Sequence, residues 1–229
     1  MTLSIIMPAL NEAATIEATL NALQVYRLRG VEIVVADGES YDGTADLARG
    51  RADRVIVAPR GRALQMNEGA AEARGDVLLF LHADTLLPDA ADRWIADGLA
   101  QSGRAWGRFD VRFDTGGAMR LVAFAMNWRS RLTGICTGDQ AMFVTRAAFE
   151  QAGHFPPIAL MEDIALSALL KRIGRPLCLS ARVTTSARLW ETNGVWRTVL
   201  LMWSLRLRYY FGADPDRLAR AYGYATDKA

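Results

Sequence analysis

The chain is poor in the residues that staple or metallate small proteins: among 229 residues there are two cysteines and two histidines. Cys136 and Cys178 have no paired metal-ligand spacing, so neither a disulfide framework nor a cysteine-rich metal site is expected, and a reducing compartment fits. Lysine is nearly absent as well. Only Lys171 and Lys228 interrupt an otherwise all-arginine set of 27 basic residues, and each guanidinium is a planar fork suited to phosphate. No sign of charge prevails, since 27 basic against 25 acidic residues leave +2, so the overall balance does not call for a nucleic-acid partner. No apolar run approaches the ~18 residues of a spanning helix. The opening stretch has no charged leader and is broken by Pro8, which argues against a signal peptide and for a cytoplasmic protein.

Two glycine motifs are missing where they would matter. No phosphate loop of the Walker kind occurs, and no Gly-x-Gly-x-x-Gly follows the first apolar run, which takes the weight from kinase and dehydrogenase chemistry. There is no Gly-x-Ser-x-Gly elbow, and His154, between Gly153 and Phe155 ahead of two prolines, reads as a loop residue.

What is present is a core-forming chain, 51% hydrophobic and 23% charged, long enough for one compact α/β domain over residues 1–229. Apolar runs at 3–7, 31–36, 55–57 and 77–81 show no polar alternation and are separated by helix-length segments, the pattern of a parallel sheet covered on both faces. Helices are expected around Ala13, Ile16, Leu20 and Leu23, as a short one reaching Leu47, and over 60–74. Beyond residue 100 the alternation stops. A strand at 105–113, a helix at 119–132 and a strand at 140–144 predict a mixed extension of the sheet. From Trp196, one stripe holds Trp196, Val199, Leu200, Trp203, Leu207 and Tyr210, with Arg197, Arg206 and Arg208 the only charges. Such a helix is core, a subunit contact or a basic aromatic helix on a membrane surface.

Polar groups gather where those strands end. Asn11 and Glu12 follow the first, Asp37 the second, Arg60 and Arg62 the third, and His82 and Asp84 the fourth. In a parallel sheet these four loops converge on one edge, where ligands of open α/β folds bind. Carboxylates there suit ribose hydroxyls and a base edge, Arg62 suits a phosphate, and Asp84 suits a divalent cation bridging two phosphates. Each has a plain structural alternative: Asn11 as a helix cap, Asp37 as a turn former beside Gly38, Asp84 as the cap of a helix near Pro88. Glu162 and Asp163 open a later helix, favoured there by its dipole, and one of them is a candidate general base if that turn faces the crevice.

Taken together these residues resemble the family 2 glycosyltransferases of the GT-A fold, in particular a short bacterial subgroup. The likeness rests on Ser4-Ile-Ile-Met-Pro8-Ala9-Leu10-Asn11-Glu12, Val34-Val-Ala-Asp37-Gly38 with Asp42-Gly43-Thr44, Gly61-Arg62 through Gly75-Asp76, Phe80-Leu-His82-Ala83-Asp84-Thr85 and Glu162-Asp163. It implies a mostly parallel nucleotide-binding sheet that continues into a mixed sheet and an apolar C-terminal helix. The donor half is residues 1–100, the acceptor half 101–190, and a helical extension 191–229. It also implies an inverting transfer of a sugar from a nucleoside-diphosphate sugar to an acceptor that is a small molecule or lipid-linked. In that resemblance Asp163 is the base, with Glu162 as runner-up. The donor lies against Pro8, Ala9, Asn11, Glu12, Asp37, Gly38, Arg62, His82 and Ala83, and Asp84 holds Mn²⁺ or Mg²⁺. His82 stands where the family has an acid, which favours Mn²⁺. The segment Thr185-Ser-Ala-Arg188-Leu189-Trp190 resembles one that touches acceptor or diphosphate, or else is a strand with a buried Trp, and Asp139-Gln140 is expected to line the acceptor pocket. The apolar helix implies a homodimer contact or peripheral attachment at the inner face of the membrane. Two other readings are a sugar nucleotidyltransferase, which would need a glycine- and Lys/Arg-rich loop after the first strand, and a non-catalytic nucleotide-sugar binding module.

Overall fold

Among the described residues, eight strands form one sheet in the order β3-β2-β1-β4-β7-β6-β8-β5. The computed structural model describes residues 1–224; residues 225–229, the end of the expected helical extension with Lys228, lie outside the described residues, as does the side chain of Leu189. β1 (Leu3–Ala9), β2 (Glu32–Asp37), β3 (Arg54–Val57) and β4 (Val77–Phe80) are all parallel, with β1 at the centre pairing β2 and β4. The apolar residues of β1, β2 and β4 are buried on both sides, Ile5, Ile6, Ile33, Val34, Leu78 and Leu79 being wholly inaccessible, which is why those runs lack alternation, whereas the edge strand β3 is only half-buried and Val57 is exposed.

The connecting helices divide between the faces. α1 (Ile16–Arg27) and α2 (Thr44–Ala48) pack with Ile5, Met7, Ile33 and Val35, whereas α3 (Arg62–Glu72) packs with Ile6, Val34 and Leu78. Gly69 lets α3 approach β1, since a Cβ there would lie 2.6 Å from Ile6 Cγ2. The carbonyls of Ala70, Ala73 and Gly75 at and beyond the end of α3 accept bonds from the Arg146 guanidinium at 3.2, 2.7 and 3.1 Å, a cation placed where the helix dipole is negative.

The sheet then changes direction as expected of the mixed extension. β7 (Phe143–Thr145) lies antiparallel to β4, β6 (Trp106–Phe113) antiparallel to β7, β8 (Leu177–Thr185) parallel to β6, and the two-residue β5 (Thr85–Leu86) antiparallel to β8. The expected strand at 140–144 therefore starts later, and residues 138–140 form a 3₁₀ turn in front of it. α4 (Ala91–Ser102) begins after Pro88 with Ala90 ahead of it, so Asp84 caps no helix. α5 (Ala118–Thr133), α6 (Arg146–Ala152) and α7 (Glu162–Ile173) cover the second half, and α8 (Arg188–Asn193), α9 (Val195–Tyr210) and α10 (Pro215–Tyr222) follow β8.

Of the apolar stripe of α9, Val199 packs against the core and the rest stays outside it. Trp196, Leu200, Trp203, Leu207 and Tyr210 are 59–83% exposed, while Leu205 and Thr198 face inward. α5 presents a second such stripe, with Leu121, Phe124, Trp128 and Leu132 at 50–77% exposure.

Candidate functional site

The four strand-end loops do converge, and a lattice of side-chain to backbone bonds joins them. Asn11 turns the chain after β1 with φ 55°, a left-handed conformation that asparagine tolerates. Its N–H donates to Ser40 Oγ at 2.9 Å and its Oδ1 accepts from Tyr41 N–H at 3.2 Å. Asn11 thus ties the first loop to the second and does not cap α1, which Thr15 precedes. Glu12 N–H donates to Thr44 Oγ1 at 2.8 Å and Ala13 N–H to Asp42 Oδ2 at 2.9 Å. Bonds from the Thr44 hydroxyl and from Ala13 keep the Asp42 carboxyl below its ordinary value.

Asp37 ends β2 at 3% exposure. Oδ2 accepts from Ser40 N–H at 3.0 Å, and Oδ1 is buried with no hydrogen-bond partner. An orphan acceptor of this kind costs ~1–3 kcal/mol, which a donor group on a ligand would recover. Behind it, Gln65 Nε2 donates to the carbonyls of Ala9 at 2.7 Å and Ala36 at 2.9 Å, clamping the ends of β1 and β2. Gly38 leaves room for that amide, because a Cβ there would meet Nε2 at 3.0 Å.

Arg62, in the first turn of α3, has Nη1 at 3.7 Å from Glu162 Oε1 and donates through Nη2 to the Tyr224 hydroxyl at 3.1 Å. Desolvation acts to lower its pKa, and Tyr224, Glu162, Asp163 and Asp139 together outweigh it and raise it. Arg62 is therefore a fixed cation at the meeting point of both halves of the chain.

His82 and Asp84 part company. His82 Nδ1 lies 3.5 Å from Asp139 Oδ1, and its ring is so close to Gly138 that a Cβ there would sit 2.4 Å from Nε2. Desolvation would raise Asp139, yet the His82 bond and the charges of His82, Arg62 and Arg206 hold it below the ordinary carboxylate value. Ala83 offers its carbonyl to Thr19 Oγ1 at 2.6 Å. Asp84 is half-buried and accepts only a long bond from Thr85 Oγ1 at 3.3 Å among the described contacts.

Among the described residues no three His, Cys, Asp or Glu side chains are grouped to hold a metal ion. One available carboxylate still suits Mg²⁺ or Mn²⁺, since these ions are held by one or two carboxylates and complete their shell with substrate phosphates and water. The donor set at this edge is compatible with a cation that arrives with a diphosphate, Asp84 being the carboxylate that would be available to it.

The acidic pair faces the same crevice. Met161 takes φ 72° just before α7, a costly conformation for a long side chain that swings Glu162 and Asp163 into the first turn. Asp163 is half-buried; its Oδ2 accepts from Gly138 N–H at 2.9 Å and its Oδ1 from Ile164 N–H at 2.7 Å. Glu162 is 4% exposed beneath Arg62. Desolvation and the neighbouring Asp163 charge raise its pKa, against the pull of Arg62.

The profile of glycosyl transferase family 2 matches residues 4–151. The chain belongs to that family. Poly-beta-1,6-N-acetyl-D-glucosamine synthase of Staphylococcus epidermidis is 23% identical over 219 residues, 85% of this chain and 53% of the synthase, so the family 2 chain spans about half the length of that relative. Among solved structures, S. aureus TarS 1-349 in complex with UDP-GlcNAc superposes with TM-score 0.66 at 18% identity, over 81% of this chain and 58% of TarS 1-349. The mannosyltransferase PcManGT of Pyrobaculum calidifontis, in complex with GDP-Man and Mn²⁺, gives 0.63 at 20% identity over 97% and 69% of the two chains. At such identities these likenesses show the fold, which is the GT-A arrangement expected of family 2.

Not every expected residue lines the crevice. Gln140 is buried, its side chain bonded to Thr137 N–H and Asn127 Oδ1, both at 3.3 Å, so of the pair only Asp139 faces the site. Trp190 sits on α8, not on a strand, and packs edge-on against Phe113 at 5.7 Å. Arg188 does join the site, Nη2 lying 3.8 Å from Glu12 Oε2. His154 stacks on Phe149 at 4.9 Å, away from these groups. Three contributors escaped the reading of the sequence: Gln65, Gly138 and Arg206. Their roles depend on partners remote in the chain, so no local pattern marks them. A surface cavity of about 500 Å³ lined by Leu87, Arg112, Arg182 and Thr184 shares none of the site residues.

Proposed function

We propose that the chain is a metal-dependent, inverting glycosyltransferase that moves a sugar from a nucleoside-diphosphate sugar to an acceptor hydroxyl. TarS 1-349 is solved with UDP-GlcNAc and PcManGT with GDP-Man and Mn²⁺, and the family 2 fold here offers the corresponding edge. The observation that carries the reading is the difference between the two acids. Asp163 is half-exposed and oriented through two backbone amides, whereas Glu162 is buried under Arg62.

In this reading the nucleoside lies along Pro8, Ala9, Asn11, Glu12 and Gly38, and a base N–H or ribose hydroxyl donates to the orphan Oδ1 of Asp37. Arg62 faces the diphosphate, and Asp84 with a donor phosphate holds Mn²⁺ or Mg²⁺. When bound, the ion supplies positive charge against the leaving diphosphate. Asp163 takes the acceptor proton as that oxygen attacks the anomeric carbon, the bond to the diphosphate breaks, and the configuration inverts. His82 acts at one remove: its contacts with Asp139 and Gly138 support the turn whose amide holds Asp163, and Ala83 fixes the loop through Thr19. Residues 1–100 serve the donor, 101–190 the acceptor, and 191–229 extend the same domain.

No glycine- and Lys/Arg-rich loop follows β1, which leaves sugar nucleotidyl transfer unsupported. A purely binding module is separated by turnover. With Mn²⁺ and a donor panel, hydrolysis or transfer by the native chain, lost in Asp163→Asn with donor binding retained, supports the enzyme. Binding without turnover in either, across a broad acceptor panel, refutes it.

The exposed stripes of α5 and α9 support a peripheral place on the cytoplasmic membrane face. Neither helix contains an acidic residue, and of their arginines Arg120, Arg197 and Arg208 are exposed, a basic, apolar and aromatic pairing suited to anionic lipid. No helix of the described residues is long and apolar enough to cross a membrane. Co-sedimentation with anionic but not neutral vesicles is expected; no binding to either, together with a dimer in light scattering, assigns the stripes to a homodimer.

A further inference from the structure

Three arginines of the acceptor half lie on β6 and α5, Arg108, Arg129 and Arg131, and one lacks what the other two have. Arg108, wholly buried, donates from Nε to Ser130 Oγ at 3.0 Å and from Nη2 to the Asn127 carbonyl at 3.2 Å, and pairs with Asp110 through Nη1. Arg131 grips the same Asp110 with two bonds of 2.6 and 2.8 Å. Asp110 is thereby committed twice. Arg129, on the same helix α5, has Nε and Nη2 buried with no hydrogen-bond partner.

The unpartnered Arg129 is within electrostatic reach of Asp163. Burial, followed by repulsion from Arg206 of α9, pulls its pKa down to about 10, and Asp163 pulls the other way. It stays cationic near neutral pH. Arg206 also acts on Asp139, the partner of His82. Arg129 of α5 is thus within electrostatic reach of Asp163 and of Arg206 on α9, and Arg206 within reach of Asp139, on two helices free of acidic residues. A buried, charged donor without an acceptor is expensive, and guanidinium N–H groups are matched in geometry by carboxylate or phosphate oxygens.

We propose that Arg129 and Arg206 form an oxyanion subsite beside Asp163, and that it receives the phosphate or carboxylate of the acceptor. The acceptor class is then an anionic alcohol, whose hydroxyl meets Asp163 while its anion is held by Arg129. This rests on the reading of Asp163 as the base. The donor diphosphate is assigned to Arg62 and Asp84, so the two anions of a ternary complex have separate cations.

The experiment is calorimetric titration of the full chain, first with UDP and GDP in Mn²⁺, then, at saturation with whichever binds, with glycerol 3-phosphate and with glycerol. Glycerol 3-phosphate should bind and glycerol should not. Arg129→Gln should weaken glycerol 3-phosphate by about tenfold or more, as loss of a hydrogen bond to a charged group does, and leave nucleotide affinity within about twofold. Arg129→Lys should recover part of the loss, and Arg206→Gln, a half-buried position, should repeat it should Arg129→Gln not fold. Equal affinity for glycerol and glycerol 3-phosphate would overturn the subsite. So would a matching loss of nucleotide affinity in Arg129→Gln, which would give this arginine to the donor diphosphate. Glycerol 3-phosphate binding with no binding of either nucleotide would instead sink the donor reading, and the acceptor assignment with it.

Discussion

Adding one methyl group at Gly138 tests how the site is held together. A Cβ there would lie 2.4 Å from His82 Nε2 and 2.5 Å from Cε1, so ring and backbone must separate by about 1 Å to reach ordinary contact. His82 is 16% exposed in its side chain and held near Asp139, which leaves it little room. Either the imidazole leaves Asp139, or the turn retreats and carries the Gly138 N–H away from Asp163 Oδ2, now at 2.9 Å. Overpacking costs about 1–3 kcal/mol, which for a chain of this size lowers Tm by roughly 2–12 °C. A shift of ~1 Å in a reacting group lowers turnover about a hundredfold. Thermal unfolding and donor turnover should be measured for the native chain, Gly138→Ala, His82→Ala and the double variant. In the His82→Ala background the added methyl finds space, so its cost in stability should fall below about 0.5 kcal/mol. A full cost in both backgrounds, or none in either, refutes the contact as the link between His82 and Asp163.

Other substitutions read the remaining parts of the site. Asp163→Asn should lower turnover by about 10²–10⁴ while the calorimetric affinity for nucleotide is kept. Asp37→Asn replaces an acceptor with an amide that can present N–H to the donor, and should weaken nucleotide binding by ~1–3 kcal/mol; unchanged affinity removes Asp37 from the nucleoside contact. Glu162 has a raised pKa in the fold, so its contribution to stability is full below the unfolded value and is lost as pH rises through the folded one. The Tm of Glu162→Gln relative to the native chain should therefore be higher at pH 7 than at pH 4, and equal differences at both would contradict it. Trp203→Glu combined with Trp128→Glu should abolish sedimentation with anionic vesicles while leaving Tm within a few degrees, since both rings are at least half exposed.

The donor half was legible because its signals are local. Runs such as Ile33 to Ala36 and Leu78 to Phe80 announce buried parallel strands, and each ends in a polar group that the topology must carry to one edge. In the acceptor half the strand at 105–113 and the helix at 119–132 were legible and are β6 and α5, but β8 and α6 were not. β8 mixes half-exposed Leu177, Cys178 and Leu179 with exposed Ser180 and Arg182, so no clean period shows, and α6 is too short to announce itself. The site was half visible for a related reason. Asp37, Arg62, Asp84 and Asp163 are marked by type and position, whereas nothing local to Arg129 says that its Nε and Nη2 are left without a partner while Arg108 and Arg131 share Asp110, a distribution that pairing in three dimensions decides.

The order of the sheet also sets an order of assembly. Asp84 lies between β4, which can pair with β1 early, and β5, whose only strand partner among the described residues is β8, with Thr85 opposite Thr185 and their hydroxyls 3.0 Å apart. That closure joins residues 100 apart in the chain, and distant contacts form late. A ribosome-bound chain that has emerged only as far as the fourth strand can already shape the pocket around Asp37, yet Asp84 gains its anchor only when β8 arrives. The same two-residue strand at the sheet's edge should be among the first to open in native-state hydrogen exchange.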